Sequence, residues 1–438
     1  MAAEGAPPGF VSETLENGLR VSILPDPANP VVATQLWYHV GSANEQPDNR
    51  GFAHLFEHLM FGETTNVSKA EFEQYHHRHG GFENAYTSFD ETIYVSGIAP
   101  ERHDRVLEFE ADRMVNLVFD PENLENEKKI VSEELRVSME NDPFSRVMVA
   151  TLKELLGEHP YARTPGGTRE DVAAATLDQG REFYDSYYRP QNAHLVIVGP
   201  VDGPRTLEQV RRLFGGLSEG GRTPTDVPAV IDWELPTELV LREDLPPVET
   251  ALLVFPLPPA NVEDRAALAV MEQLLGGGEV DPLDEILVRR RGKAVMAQTV
   301  WLHMRRGGAF VLAAVHVPYR KKSTAFRQLE RALEELAGLE WLTEESLESA
   351  KRVLLRRTQE RVYYADQRAD AIGRAEWWLG SSRLAFDEAR LLDEVTRDEV
   401  ARAFRERLMG VTPVRIYLKP ERVPVHIRLF GWLYPLVN

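Results

Sequence analysis

GFAHLFEHLMFGET, residues 51–64, is the stretch from which the rest of the chain is read. It predicts a helix from about Gly51 to Gly62, and inside it lies His-Leu-Phe-Glu-His at 54–58. Side chains four apart share a helix face, so His54 and His58 can present two imidazoles to one metal ion. Glu57 lies one turn on from His54 and beside His58, where it can reach a water on that ion without being a ligand. Two neutral nitrogens and one carboxylate make a three-ligand zinc site with an open fourth position, the pattern of hydrolytic zinc enzymes.

Upstream of this segment, residues 20–24 (RVSIL) and 31–39 (VVATQLWYH) read as strands, rich in β-branched and aromatic residues and bounded by Pro, Asn and Gly. Downstream come a helix from Ser68 to Gly80, a strand-like antiparallel stretch from Asn84 to Ile98, and a helix from about Pro100 to Leu117. A longer helix runs to about Glu140, with Asp120 as its N-cap and Pro121 at its first helical position. HLVIVG (194–199) is a further strand, and the Gly-, Pro- and Thr-rich stretch 216–236 reads as a linker. Beyond it the order of elements repeats. LVFPLP is a strand, 263–276 a helix, Ala297–Val317 strand-like, 322–338 and 342–362 helices, and VRIYLK (414–419) a closing strand. The pattern predicts the α+β class with two domains of related fold. The expected division is a catalytic zinc-binding domain at 1–215, a linker at 216–236, and a homologous domain without metal ligands at 237–438.

Composition narrows the function classes. The chain has 438 residues, 50 Lys and Arg against 69 Asp and Glu, and a formal charge of −19, which argues against nucleic-acid binding. It has no cysteine, so a disulfide scaffold, a Cys-ligated metal site and a thiol nucleophile are excluded. No stretch approaches the ~20 apolar residues of a membrane span. MAAEGAPPGF lacks the basic and apolar sections of a signal peptide. The expectation is a soluble protein of the bacterial periplasm, numbered from beyond a leader, or of the cytoplasm.

A third ligand must come from elsewhere, and the helix at 121–140 offers candidates. Glu127 and Glu134 are two turns apart and lie on one face, whereas Glu133 points about 100° away from Glu134. Here the sequence resembles the inverzincin family of zinc peptidases, which includes pitrilysin, insulin-degrading enzyme and the mitochondrial processing peptidase. The resemblance runs through GFAHLFEHLMFGET (51–64), ENAYTSFDETIYV (83–95), ADRM (111–114), ENEKKIVSEELR (125–136) and YYRPQNAHLVIVG (187–199), and covers essentially the whole chain. It implies two α/β-sandwich domains, each a mostly antiparallel sheet with helices packed on it, forming half of a clam-shell chamber. It also implies one Zn²⁺ per chain, held by His54, His58 and Glu134. Glu57 becomes the general base and Glu127 a second functional glutamate. The segment matching Asn84, Ala85, Tyr86 and Thr87 is the strand edge that binds peptide substrates, and Phe61 matches an apolar wall.

The second half carries the same pattern without the ligands. Aligning HLFEHL (54–59) with AVMEQL (269–274) sets Ala269 opposite His54 and Gln273 opposite His58. Aligning LENEKKIVSEEL (124–135) with LESAKRVLLRRT (347–358) sets Ala350 opposite Glu127 and Arg357 opposite Glu134. Family members whose second half helps bind substrate carry an Arg and a Tyr seven apart; those positions fall here on Val288 and Val295. The resemblance is therefore to the catalytic subunit of a heterodimer whose homologous, metal-free partner supplies the missing pair, with a homodimer as the other arrangement.

Three further features are read as structural. His76, His77 and His79 stand at a helix C-terminus, where the dipole favours imidazolium. The glycines 276–278 lack the lysine and hydroxyl of a phosphate loop. Trp377 and Trp378 suit a core or an interface. The expected function is a zinc metalloendopeptidase acting on peptides or unfolded segments. The alternative is a non-catalytic scaffold or partner subunit, which would need none of the motif residues.

Overall fold

The computed structural model describes residues 5–423 except 142, 219–226, 229, 232, 234–235, 244, 277–280 and 317–320. Most of the expected linker at 216–236, Gly277 and Gly278 of the triple glycine, and Val317 lie outside the described residues.

The first sheet contains β1 (Val11–Thr14), β2 (Arg20–Pro25), β3 (Val32–Tyr38), β4 (Phe82–Thr87), β5 (Thr92–Ile98) and β6 (Ala193–Gly199), in the order β1-β2-β6-β3-β5-β4. β2 and β6 run parallel, and the other neighbours are antiparallel. The expected stretch Asn84–Ile98 is thus the β4–β5 hairpin. β3 and β6 are buried along their whole length, which explains their near-continuous apolar runs: both faces of the sheet are covered. The outer strands β1 and β4 alternate in exposure instead.

One face packs on helices Phe52–Leu59, Leu177–Tyr187 and Gly203–Phe214 through Phe56, Phe183, Tyr188, Leu195 and Phe214. The other face is covered by helix Ala365–Leu379, whose Ala365, Ala369 and Ile372 pack on Trp37, Val196 and Val198. Gly373 brings that helix unusually close. A Cβ there would stand 2.2 Å from the Trp37 ring. Gln35 donates to the carbonyl of Asp366 at 2.9 Å, and Arg368 pairs with Asp26.

The second sheet contains β7 (Glu238–Glu243), β8 (Glu249–Leu257), β9 (Met296–Met304), β10 (Gly307–His316) and β11 (Val414–Pro420), in the order β7-β11-β8-β10-β9. Reading β7 for β2, β8 for β3, β9 for β4, β10 for β5 and β11 for β6 reproduces the first sheet without β1. The single parallel pair recurs too, as β7 with β11. Helices Val262–Gly276, Lys322–Leu336 and Glu344–Val362 follow the same strands as their first-half counterparts. The class is α+β, with two α/β sandwiches of one topology.

The compact units differ from the linear division at 216–236. One comprises residues 1–138, 163–227 and 359–387, the other 139–162, 228–358 and 388–438. Each sheet needs cover on both faces, and each unit takes a helix from the other half of the chain. The first receives Ala365–Leu379, and the second Pro143–Leu156, which packs on β7. No local sequence pattern reports such an exchange.

Candidate metal centre

Helix Phe52–Leu59 begins at Gly51, whose φ of 82° is in the left-handed region open to glycine. Its first amides are capped from outside the helix. The buried Glu45 carboxylate accepts from the N–H of Gly51 and of Ala53, both at 2.9 Å, and burial pushes this carboxyl up to about 8. Phe52, Leu55, Phe56 and Leu59 are buried, which leaves His54, Glu57 and His58 half-buried on the other face.

The two imidazoles lie 5.1 Å apart, centroid to centroid, with their planes nearly perpendicular. Glu134, on helix Pro121–Asn141, reaches both: Oε1 is 3.7 Å from His54 Nε2, and Oε2 is 3.3 Å from His58 Nε2. Donors each about 2.0–2.1 Å from one tetrahedral ion stand roughly 3.3–3.4 Å apart. One donor atom from each of the three residues lies within 4.8 Å of the others, so the group can converge on an ion with small side-chain adjustments. His54, His58 and Glu134 are the one such convergent group among the described residues.

Glu127 takes a different position. Its Oε2 faces the other nitrogen of His58, Nδ1, at 3.6 Å, and its Oε1 accepts from Lys69 Nζ at 3.1 Å. Glu133 turns outward and pairs with Arg136. Asp120 caps the helix as expected, accepting from the N–H of Asn123 at 2.9 Å. The backbone of Gly166 closes in behind His54, where an added Cβ would lie 3.2 Å from Nδ1 and 2.6 Å from Leu135 Cδ2.

Charge divides the two histidines. Burial holds His54 below its ordinary value, against the opposing pull of Glu57 and Glu134. Burial lowers His58 too, but there the hydrogen bond to Glu127 and the charges of Glu134 and Glu57 outweigh it and raise it. Burial would raise Glu127, and the hydrogen bonds from His58 and Lys69 override it and lower it. A group of carboxylates around two imidazoles suits a cation.

β4 is the outer strand of its sheet, paired with β5 on one side and with no strand on the other among the described residues. Ala85 is buried, and Thr87 donates to the Ala53 carbonyl of the histidine helix at 3.4 Å. Asn84 is exposed, and its Oδ1 accepts from the N–H of Ala85 at 2.9 Å. Tyr86 donates to Asp370 at 3.0 Å. Phe61 is half-buried, its ring against Phe72 and Tyr94.

Elsewhere the signals are structural. His76 is buried with Nδ1 3.1 Å from Glu83 Oε2, and His79 Nδ1 lies 2.8 Å from the Tyr75 carbonyl. Trp377 stacks on His39 at 3.6 Å, and Trp378 donates to Glu91. In the second unit Gln273 and Ala350 are buried, Val288 packs on the core, and Val295 is 53% exposed. Two residues of this centre escape sequence reasoning, Lys69 and Glu45. Neither stands in register with the motif, so no spacing points to them.

Residues 20–164 match the family described as Insulinase (Peptidase family M16), and residues 174–354 match Peptidase M16 inactive domain. The chain belongs to the M16 peptidase family. This is the family whose resemblance the motif segments carry. Zinc protease PqqE of Helicobacter pylori is 29% identical over 354 residues, covering 80% of each chain. An uncharacterized zinc protease of Mycobacterium leprae is 26% identical over 427 residues, 96% of this M16 chain and 95% of that one. The crystal structure of a protease from Helicobacter pylori superposes with a TM-score of 0.84 at 26% identity, over 94% of this chain and all of the other. The periplasmic protease PqqL from Escherichia coli shares the fold at a TM-score of 0.76 and 19% identity; 98% of this chain matches 51% of PqqL. No described helix is long and apolar enough to cross a membrane.

Proposed function

We propose that this M16 chain is a zinc-dependent endopeptidase acting on peptides or unfolded protein segments. The convergence of His54, His58 and Glu134 carries the reading, and the naming of relatives as zinc proteases supports zinc as the metal. The two Nε2 atoms and the Glu134 carboxylate would hold one ion per chain. Bound there, zinc supplies Lewis acidity toward a water and a peptide carbonyl.

Glu57, on the same helix face, takes the proton of the attacking water and delivers it to the leaving amine as the C–N bond breaks. Glu127 orients His58 through Nδ1, and Lys69 holds Glu127 in turn. An extended peptide adds to the open edge of β4 by main-chain hydrogen bonds. Asn84, Ala85, Tyr86 and Thr87 provide that edge, and the exposed part of Phe61 an apolar wall. Because Asn84 Oδ1 is engaged with Ala85, its amide N–H₂ is the group left to contact a substrate. Residues 1–215 carry this chemistry, and 237–438 form the ligand-free counterpart. With valines at 288 and 295, the Arg and Tyr come from a homologous metal-free partner subunit.

Metal analysis together with hydrolysis of a quenched peptide, with and without chelator, tests the reading. Zinc near one equivalent and chelator-sensitive cleavage are expected, and Glu57→Gln is expected to keep zinc while losing cleavage. A chain that binds no zinc, or cleaves regardless of chelator, would instead be a scaffold or contaminated. Light scattering beside specific activity then tests the partner, since full activity of a lone monomer contradicts it.

A further inference from the structure

The second unit holds a cavity of about 1110 Å³ at the place that corresponds to the metal centre of the first. Helices Val262–Gly276 and Glu344–Val362 stand where the histidine helix and the glutamate helix stand in the other sandwich. Three of the four positions aligned with His54, His58, Glu127 and Glu134 line the cavity: Gln273, Ala350 and Arg357. The volume is large enough for several residues of peptide.

At the two positions that match the glutamates of the metal centre, negative charge is lost at one and reversed at the other. Ala350 and Arg357 replace two carboxylates, and Arg352 and Arg356 of the same helix also line the cavity. Neither Arg352 nor Arg357 has an ion pair among the described residues; Arg357 acts on Glu272 only through its charge. Two of the cavity's carboxylates are already engaged, Glu335 by Arg290 and Arg291, and Glu285 by Arg290. Of the other two, Glu345 lies in the first turn of helix Glu344–Val362 and Glu340 in the turn that precedes it. At a rise of about 1.5 Å per residue, Arg352 and Arg357 stand roughly 10–18 Å farther along it than Glu345. The cavity is therefore polarised, basic at one end and acidic at the other. A polyanion would meet repulsion at the acidic end, whereas an extended chain with one carboxylate at its far end would not.

We propose that this cavity is a second peptide-binding site, in which Arg352 and Arg357 take a peptide carboxylate. The choice of a peptide over another carboxylate rests on the peptidase reading above. Guanidinium groups suit the role because they bind carboxylates through paired N–H donors. The carboxylate is a C-terminus or an acidic side chain.

Calorimetry on the full-length Glu57→Gln chain, zinc-free, tests this without turnover, so failure of the peptidase reading leaves the result interpretable. Three probes are a heptapeptide of neutral side chains with a free C-terminus, its C-terminal amide, and the amide carrying one central Asp. The free acid is expected to bind about tenfold tighter than the plain amide. Arg352→Glu with Arg357→Glu is expected to erase that difference, and Arg352→Lys with Arg357→Lys to retain part of it, with unchanged circular dichroism. Tight binding of the Asp-bearing amide assigns the site to side-chain carboxylates, and weak binding to the terminus. Equal binding of acid and plain amide overturns the proposal, as does a difference that survives both charge reversals. Inorganic phosphate binding more tightly than the peptide, with the same arginine dependence, would overturn it too.

Discussion

Gly166 lies against His54 so closely that a Cβ at 166 would stand 3.2 Å from His54 Nδ1. The same Cβ would meet Leu135 Cδ2 at 2.6 Å, and Leu135 follows Glu134 directly in the chain. One methyl group at 166 therefore pushes on two ligand-bearing elements. Gly166→Ala is expected to weaken zinc binding by about tenfold or more, in the range seen when groups supporting a ligand are disturbed. The metal-free melting temperature should move little, because Leu135 can yield at the end of its side chain. Competition with a chromophoric chelator measures the first quantity; unaltered zinc affinity would mean that the contact does not orient His54.

The two glutamates of the long helix should separate cleanly. Glu134 faces both Nε2 atoms, whereas Glu127 faces only Nδ1 of His58 and is held by Lys69. Glu134→Ala removes a donor and is expected to abolish tight zinc binding. Glu127→Ala should leave zinc bound but weaken it by about 10- to 100-fold. Equal losses in the two variants, read by metal analysis after gel filtration, would contradict these separate roles.

The contrast between these residues explains what could be read in advance. His54, Glu57 and His58 stand out by helical spacing, which the helix itself imposes, whereas the two-turn spacing of Glu127 and Glu134 only makes them candidates and the family resemblance assigns their roles. Lys69 lies 58 residues from Glu127, and Glu45 caps a helix that begins after an intervening loop, so tertiary packing alone unites them. The central strands were legible through their apolar runs. The short β1 and the alternating, half-exposed β7 carry a weaker pattern. Helix Ala365–Leu379 has no local feature that sends it to the first sheet rather than the second. Its seat is set by Trp37, Asp26 and Gln35, more than 300 residues away.

Two buried histidines make acid sensitivity a specific expectation. Burial lowers His103, bonded to Thr34, to about 4 and His194, bonded to Ser22, to about 3. Both are neutral in the folded chain, while the unfolded chain takes up protons below about 6.5. The stability they contribute is present above that pH and is lost as the pH falls toward 4 and then 3. Each group changes stability by about 1.4 kcal/mol per pH unit within its window. Glu45, pushed up to about 8, works in the opposite sense over this range, so the test is a difference between chains. Between pH 6 and 5 the urea midpoint of His194→Asn should fall less steeply than that of the parent chain, by about one proton. A slope unchanged in that variant would mean that His194 does not titrate as its burial requires.

The helix exchanged into the first unit can be tested at its tightest point. A Cβ on Gly373 would stand 2.2–2.5 Å from three atoms of the Trp37 indole, and Trp37 is fully buried. Neither partner has room to move, since the ring lies between the sheet and the helix, so Gly373→Ala must displace the helix. Overpacking of this kind costs about 1–3 kcal/mol, and the contact lies at its severe end. Gly380 is the internal comparison: it follows the same helix at a φ of 80° with no atom within 4 Å of an added Cβ. Gly380→Ala pays only backbone strain, about 1–2 kcal/mol. Urea unfolding should therefore place Gly373→Ala below Gly380→Ala and, alone of the two, alter the near-ultraviolet signal of the buried tryptophan. If the two variants match in both respects, the helix does not rest on Trp37, and the second face of the sheet must be covered in some other way.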